Sequence, residues 1–415
     1  MGNNEVTRHT GIPVNTYTLM HREEVVAIAR RGVGVEVILP EKLPFGLRTT
    51  PLYFDSFMDW LRGRVDNLQR TYMNKVYIAR QIGRDLEKII QDSCAISIID
   101  QFWINRSDVN MTWEKLQVMR DQNKTLAEVA LTGDIKNIDW ETVIQGTTSL
   151  FATKGAHPKA ILGDTMLKLG KAAEREWIAA VIGERLDIPV QTAVVLNPSL
   201  NGLRDNEGNW TGKTFVPKPG SHSLPFSYDD TLVEIKLFTS EKLSLAHASE
   251  MFIDKPKPKE IGQIRNFYDN LPSDSMKRDF ERILMLNLLI SNADLHNENY
   301  GCLYSPETFE IIDVAPSYDH NTAEFDDDVV MNEDITEIIF QKISHHEDII
   351  NKIENGVLEE ALKEISNWLS QEQKDCVRSV GEQLVNIFHE KTKNYEEHKF
   401  PRQEDDGGGG SNWGR

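Results

Sequence analysis

Apolar residues recur at helical spacing in one central segment of the chain and at strand spacing in the two segments that follow it. Residues 276–290 have apolar side chains three and four positions apart, which predicts a helix with a buried face. Residues 299–303 and 309–314 predict a hairpin of two strands. The loop between helix and hairpin is rich in Asn, Asp and His, so these polar residues are expected on a loop held by a core.

The two ends of the chain have their own patterns. The front third predicts strands at 17–20 and within 25–39, and amphipathic helices at 57–68 and 77–90. The C-terminal part predicts packing helices. Their apolar stripes are Val357, Leu358, Ala361, Leu362, Ile365, Trp368 and Leu369, then Cys376, Val377, Val380, Leu384, Ile387 and Phe388.

The middle of the chain combines a small-residue loop with a strand and a helix. Residues 153–162 form a basic loop between apolar runs, 165–169 predict a strand, and 173–180 predict a helix. Residues 200–227 are a long irregular connection, of the kind that is functional or mobile.

Charge and composition exclude several classes of function. The net charge of −19 and pI near 5.1 argue against a nucleic-acid-binding surface and favour a basic protein or peptide as partner. The three cysteines are widely spaced, which indicates a reducing compartment, and we expect a cytoplasmic protein. No apolar run is long enough to predict a membrane span.

The polar loop has the spacing of a phosphotransfer site. Asp294 and Asn299 are five residues apart, as in a kinase catalytic loop, and Asp319 follows where a second metal-binding carboxylate is expected. One carboxylate would accept the proton of the attacking hydroxyl, while an amide oxygen and the other carboxylate would hold Mg²⁺. The alternative is an ordinary polar turn.

The middle segment supplies candidate phosphate-binding groups. Gly155, next to Ala156, can bring its backbone close to an anion, and Lys159 can reach one. Lys168 on the predicted strand and Glu176 on the predicted helix match the lysine–glutamate pair that positions ATP phosphates in protein kinases. The alternatives are a snorkelling edge-strand lysine and a solvated helix face.

Taken together, these motifs resemble the HipA-like kinases. The family carries N-x-D-x-H-x-x-N and A-P-x-Y-D motifs, and this chain has N-A-D-L-H-N-E-N at 292–299 and A-P-S-Y-D at 315–319. The resemblance covers roughly residues 150–389. It implies a two-lobed α+β fold like that of protein kinases, with a mixed α/β N-terminal region and a mostly helical C-terminal lobe.

The resemblance also implies roles for individual residues. Asp294 would be the catalytic base, with His296 beside it in the catalytic set, and Asn299 and Asp319 would be the metal ligands. The phosphates of ATP would be held by the remaining candidates, which are Gly155, Ala156, Lys159, Lys168 and Glu176. The phosphate loop has Ala152-Thr153 where the family's toxins carry a phosphorylatable Ser, and the segment before residue 150 indicates a branch distinct from the toxins.

The sequence therefore predicts an ATP- and Mg²⁺-dependent kinase that phosphorylates a Ser or Thr hydroxyl of a protein or peptide. A small-molecule kinase or nucleotidyl transferase on the same scaffold, and a non-catalytic nucleotide-binding regulator, are the alternatives.

Four segments are predicted. They are an accessory and docking region at 1–145, a kinase N-lobe at 146–240, a helical C-lobe at 241–400 and a disordered tail at 401–415. The tail has a Gly-rich linker followed by a short peptide from Asn412 to Arg415, which is a candidate tethered ligand or substrate.

Overall fold

A computed structural model describes eight stretches of the chain. They are 16–65, 86–105, 111–120, 159–162, 164–196, 231–251, 262–326 and 333–399. The predictions for Gly155 and Ala156, for the connection at 200–227 and for the tail at 401–415 lie outside the described residues.

The first sheet is antiparallel, with strand order β3-β2-β1-β4. Its aromatic and aliphatic side chains pack against α1 and α2, and Phe57, Phe102 and Leu19 are fully buried. The elements are β1 (Thr16–His21), β2 (Glu24–Arg30), β3 (Gly34–Val37), α1 (Phe54–Val65), α2 (Leu86–Ser93), β4 (Phe102–Asn105) and α3 (Trp113–Arg120). The predicted helices at 57–68 and 77–90 are thus present in part, and their remaining residues lie outside the described stretches.

The second sheet has strand order β5-β6-β8-β7 and packs against α4. Its elements are β5 (Lys159–Leu162), β6 (Thr165–Leu169), α4 (Lys171–Arg185), β7 (Ala193–Val195) and β8 (Leu232–Lys236). Gly170 joins β6 to α4 with φ of 86°, a left-handed conformation that favours glycine. This tight connection brings the first turns of α4 close to the end of β6.

The third sheet has strand order β11-β10-β9 and carries the predicted hairpin. Its elements are β9 (Ser244–His247), α5 (Ala248–Met251), β10 (Gly301–Tyr304) and β11 (Ile311–Val314). The second strand begins two residues later than predicted, because Phe309 adopts φ of 60° within the turn. At Gly301 a β-carbon would lie 2.2 Å from the Ala246 carbonyl oxygen, so glycine is required where β10 passes β9.

The remaining helices form the largest apolar cluster of the described residues. They are α6 (Gln263–Asp269), α7 (Asp274–Leu289), α8 (Glu333–Lys342), α9 (Glu347–Glu354), α10 (Val357–Glu364) and α11 (Gln371–Lys399). Helix α7 matches the helix predicted at 276–290, and Ser273 caps its start by accepting a hydrogen bond from the Met276 amide. The described chain is therefore a mixed α/β fold, with most helices in its C-terminal part.

A short parallel bridge joins the second sheet to the segment after β11. The Gln191 amide donates to the Ser317 carbonyl oxygen at 2.9 Å, and the Ser317 amide donates to the Pro189 carbonyl oxygen at 2.9 Å. Residues just before β7 are thus fixed beside the predicted metal-binding segment.

Among the residues that the structure describes, no helix is long and apolar enough to cross a membrane.

Candidate active site

Strand β6 carries Lys168 into the protein interior, where its ammonium group meets two carboxylates. The Nζ atom contacts Glu176 Oε1 on α4 and lies 3.1 Å from Asp319 Oδ1. Lys168 and Glu176 are 2% and 3% exposed. Buried charges are stable only when they are paired. The structure therefore brings together three of the residues that the sequence pointed to.

These charges shift one another's pKa values. Burial opposes ionisation of Glu176, but attraction to Lys168 and the hydrogen bond from His320 outweigh it and lower the pKa of the carboxyl group. Burial also opposes ionisation of Asp319, and attraction to Lys168 and then to Lys159 lowers its pKa. The pKa of Lys168 is raised, because Glu176 and Asp319 more than offset its desolvation. All three groups are therefore charged at neutral pH.

The two residues that follow Asp319, His320 and Asn321, donate hydrogen bonds to the carboxylates of the cluster. The His320 amide and Nδ1 lie 3.0 and 3.1 Å from Glu176 Oε2. Asn321 Nδ2 donates to Asp319 Oδ1 at 2.8 Å, and the Asn321 carbonyl oxygen accepts from Arg175 Nη1 at 2.7 Å. Sequence reasoning missed His320 and Asn321. The available signal was their position directly after Asp319. That position does not show which residues of the segment contact α4.

The predicted catalytic loop lies between α7 and β10 and is more exposed. The side chain of Asp294 is 47% exposed, and its Oδ1 lies 3.9 Å from Nε2 of His296, which is 49% exposed. His296 Nδ1 accepts a hydrogen bond from the Glu298 amide at 3.2 Å. Asn299 Nδ2 donates to the Asp294 carbonyl oxygen at 2.7 Å, so the loop is closed on itself and the Asn299 amide oxygen is left for another partner.

Lys159 stands beside Lys168, because the two residues are paired across β5 and β6. Its side chain is buried and lines the same cavity as Lys168. The structure thus brings Lys159 to the candidate site, whereas the neighbouring Gly155 and Ala156 are not described.

A cavity of about 500 Å³ joins these groups. Lys159, Lys168, Asn299 and Asp319 line one part of it, together with the segment after β8 at residues 237–239. This volume is within the range of small-molecule sites. Asp294 and His296 do not line the cavity; they lie on the same loop as Asn299.

Residues of the first sheet region line the same cavity. Ser56, Asp59, Trp60 and Gly63 recur at helical spacing on α1, so a single face of this helix borders the cavity. Gly63 leaves open space, since a β-carbon built there would have no atom within 4 Å. Sequence reasoning did not assign α1 to the site, because its spacing alone cannot show which element it faces.

The segment at 97–99 also lines the cavity and is attached to the third sheet and to the segment after β8. The Ile98 carbonyl oxygen accepts from Thr239 Oγ1 at 2.6 Å, and the Ile99 carbonyl oxygen accepts from the Leu245 amide at 2.6 Å. The front third of the chain is therefore part of the cavity and not a separate appendage.

Arg64, which also lines the cavity, forms a second buried ion pair. Arg64 and Asp100 form a two-pronged contact, with Nη2 to Oδ1 at 2.8 Å, and both side chains are almost fully buried. Arg64 also donates to the carbonyl oxygens of Ala95 and Phe102 at 3.1 and 3.0 Å, and its guanidinium lies 4.6 Å from the centre of the Trp60 ring. Every nitrogen of this guanidinium is thus used within the protein.

Comparisons with known proteins agree with this architecture at the level of the fold. No model of a known protein family matches the chain, and no curated protein matches it. Among solved structures, the proinflammatory kinase CtkA of Helicobacter pylori is similar over 56% of this chain and 91% of its own, with 16% identity and a TM-score of 0.36. HipA of Shewanella oneidensis MR-1, solved with HipB and operator DNA, is similar over 90% of this chain and 97% of its own, with 10% identity and a TM-score of 0.51. The likeness to the HipA structure extends over most of the chain and concerns its fold.

Proposed function

We propose that this protein is an ATP- and Mg²⁺-dependent kinase of the HipA-like type, which phosphorylates a Ser or Thr hydroxyl of a protein or peptide. The observation that carries the proposal is the buried cluster of Lys168, Glu176 and Asp319, which shares a cavity with Asn299. A lysine held by a helix glutamate beside a metal-binding carboxylate is the arrangement that kinases use to hold ATP. The HipA-like fold supports the same proposal.

The residues present fit a magnesium ion. Asp319 Oδ1 accepts from Lys168 and Asn321, which leaves Oδ2 for a metal, and Asn299 uses its amide nitrogen within the loop, which leaves its oxygen. Carboxylate and amide oxygens are the protein ligands that suit this hard cation. When bound, Mg²⁺ would neutralise charge on the phosphates.

The nucleotide would lie along the cavity. Lys168 and Lys159 would contact its phosphates, and the loop of Gly155 and Ala156 would cover them. The base would lie towards residues 237–239, which follow β8 and also line the cavity.

The transfer itself would use the exposed loop. The acceptor hydroxyl oxygen would form a bond to the γ-phosphorus, the bond from that phosphorus to the oxygen of ADP would break, and the hydroxyl proton would pass to Asp294. Asp294 is about half exposed, which suits a group that must meet a second, incoming substrate. His296 would border the acceptor hydroxyl from the adjacent side.

The acceptor would be a polypeptide. The face of α1 that borders the cavity adds a wall beyond what binding a nucleotide requires, and the net charge of −19 favours a basic chain. The protein would act in the cytoplasm, and neither nucleic acid nor a membrane is needed for this reaction.

The proposal is tested by incubating the protein with Mg²⁺ and ATP labelled at either the α- or the γ-phosphate. Label from the γ-position on Ser or Thr of a basic polypeptide, located by mass spectrometry, is the expected result. Label from the α-position would mean a nucleotidyl transferase, and label on a metabolite would mean a small-molecule kinase. Binding of MgATP without any transfer would mean a regulator.

A variant pair makes this test specific. Asp294→Asn should bind MgATP normally and lose about 10²–10⁴-fold in rate. Asp269→Asn, at an exposed carboxylate that ends α6, is the matched control and should keep full activity. Asp319→Ala should remove the Mg²⁺-dependence of nucleotide affinity in calorimetry. Unchanged MgATP binding in that variant would show that Asp319 is not a metal ligand.

A further inference from the structure

His320 is the most enclosed polar residue next to the proposed metal-binding carboxylate, with 1% of its surface exposed. Its Nδ1 lies 3.1 Å from Glu176 Oε2, and its Nε2 lies 2.7 Å from Ser317 Oγ. Asn287 Nδ2, on α7, donates to the same Ser317 oxygen at 3.2 Å. The imidazole therefore stands between the glutamate of α4 and the helix that leads into the catalytic loop.

The partners fix the orientation of the ring. An ionised carboxylate can only accept hydrogen bonds, so Nδ1 carries the proton that faces Glu176. In the neutral ring Nε2 is then an acceptor and takes the Ser317 hydroxyl proton. This places a donor opposite an acceptor at every contact, from the Asn287 amide through Ser317 and His320 to Glu176.

We propose that His320 is a positioning residue that holds Glu176 in the rotamer required for binding Lys168. The two oxygens of Glu176 have separate tasks: Oε1 contacts Lys168, and Oε2 receives both the His320 amide and the His320 ring. With Oε2 fixed, Oε1 can point only towards β6. The proposal rests on the proposed kinase function, since it assigns to His320 the alignment of the phosphate-binding lysine.

The next residue supports the same role for this short segment. Asn321 donates to Asp319 Oδ1, while its carbonyl oxygen accepts from Arg175, which neighbours Glu176 on α4. Residues 319–321 therefore attach to α4 at two successive points, and the metal-binding carboxylate is aligned with the lysine pair before any ligand arrives. Such outer partners are the usual means of fixing a binding group.

Two amide substitutions distinguish the roles of the two ring nitrogens of His320. In His320→Asn the side-chain amide can replace Nδ1 and still donate to Glu176, whereas in His320→Gln the longer side chain reaches the position of Nε2 and leaves Glu176 with the backbone amide alone. Both variants are polar and smaller than or similar to histidine, so they are matched for burial.

The kinetic measurement is kcat and KM for ATP in both variants. We expect His320→Gln to lose about 10-fold to 100-fold in kcat/KM for ATP, the range found for outer partners of a site. His320→Asn should keep activity within about threefold, because it keeps the bond to Glu176. Equal losses in the two variants would overturn the positioning role, since a merely structural histidine has no preference for its Nδ1 end.

A second measurement does not depend on kinase activity. Glu176→Gln, His320→Gln and the double variant are compared by the urea midpoint of unfolding. Residues in direct contact show non-additive effects, so the double variant should shift the midpoint by clearly less than the two single shifts combined. Additive shifts would overturn the direct coupling of His320 to Glu176.

The two measurements also separate this proposal from the proposed function. If the wild-type protein transferred no phosphate, the kinase proposal would fail while non-additive midpoints still supported the contact. If the wild-type protein were a kinase and the Asn and Gln variants were equally impaired, only the role of His320 would fall. Should the His320 variants not fold, Ser317→Ala removes the hydrogen bond to Nε2 of the ring, together with the one that Ser317 accepts from Asn287. It should raise KM for ATP, and an unchanged KM would overturn the proposal.

Discussion

Two buried ion pairs border the same cavity, and they differ in the share of the cation's N–H donors that have a partner among the described residues. Arg64 on α1 places its guanidinium against Asp100, two backbone carbonyl oxygens and the Trp60 ring. Lys168 on β6 contacts Glu176 and Asp319, and no third partner of its ammonium group is found among the described residues. Four of the five N–H donors of Arg64 have partners in the protein, whereas two of the three donors of Lys168 do.

This difference distinguishes a pair with a structural role from the pair proposed to bind a ligand. An ammonium group has three donors, so Lys168 keeps one for an anion that enters the cavity. A guanidinium has five, and the contacts of Arg64 with the segment at 95–102 leave little for a ligand. Buried charge alone therefore does not single out a candidate binding residue, whereas an incomplete set of partners facing a cavity is a reason to test one.

The largest effect should come from breaking the satisfied pair. Arg64→Met would leave Asp100 buried without its partner, and we expect a loss of about 3–5 kcal/mol in the free energy of unfolding. Urea denaturation measures this loss. The double variant Arg64→Met with Asp100→Leu is the control and should recover most of the stability. No recovery would mean that the contacts with backbone oxygens, and not the ion pair, determine the cost.

Breaking the incomplete pair should affect activity more than stability. Lys168→Met should lower kcat/KM for ATP by about 10²–10³-fold, the usual cost of removing a donor from a reacting centre. Its unfolding free energy should fall by less than that of Arg64→Met, because Glu176 keeps its two hydrogen bonds from His320. Lys171→Met, at the exposed lysine that begins α4, three residues after Lys168, is the control. A destabilisation equal to that of Arg64→Met would remove the distinction between the pairs.

Two buried histidines extend the comparison to pH. His21 on β1 packs against Phe102 and Phe309 at 4.9 and 5.1 Å, and neither ring nitrogen has a hydrogen-bond partner among the described residues, unlike those of His320. Burial lowers the pKa of His21 to about 4 from an ordinary value of 6.5. Between these values the unfolded chain binds a proton that the folded protein does not, so stability is present above pH 6.5 and is lost as the pH falls towards 4.

The acid sensitivity due to His21 should amount to about 2 kcal/mol between pH 7.5 and pH 5. Unfolding free energies of the wild type and of His21→Phe, which keeps an aromatic ring but cannot titrate, measure it. The unfolding free energy of the variant should fall less than that of the wild type as the pH is lowered. Parallel curves for the two proteins would mean that His21 gains a partner or a proton in the folded state.

The smallest effect concerns Gly63, on the face of α1 that borders the cavity. Gly63 lies inside α1 and faces free space, so Gly63→Ala should stabilise the protein by about 0.5–1 kcal/mol. Thermal unfolding measures this gain, with kcat/KM for ATP and for the polypeptide acceptor as a second readout. A stable variant that loses acceptor turnover alone would indicate that the acceptor approaches α1 at this position.

The sequence predicted the elements around the site better than the walls of its cavity. The strand of Lys168, the helix of Glu176 and helix α7 follow from local periodicity, and Asp319 follows from its motif. Arg64 and Asp100 contact each other only because α1 packs against the segment before β4. The local sequence pattern around either residue does not predict the other as its partner. The roles of His320 and Asn321 depend in the same way on where α4 passes, which is a property of long-range packing.

The place of the front third relative to the cavity could not be predicted from its sequence. In the structure, α1 and the segment at 97–99 border the same cavity as Lys168, and the accessory role of residues 1–145 stays a prediction. A hydrophobic pattern shows that a helix has a buried face but not which partner covers it. The two-lobed division and the limits at residues 145 and 240 stay predictions.

The bridge between Val190 and Ser317 has a consequence for how the protein folds during synthesis. During synthesis, the second sheet and its buried lysine leave the ribosome long before the segment that supplies Asp319. Until then, Lys168 and Glu176 lack both their third charge and the strand-like contact that fixes Gln191. Because contacts between distant parts of a chain form late in folding, the cluster of Lys168, Glu176 and Asp319 should be completed only after residues 317–319 have been synthesised. A nascent chain that ends before Ser317 should therefore lack the proposed nucleotide site in its complete form.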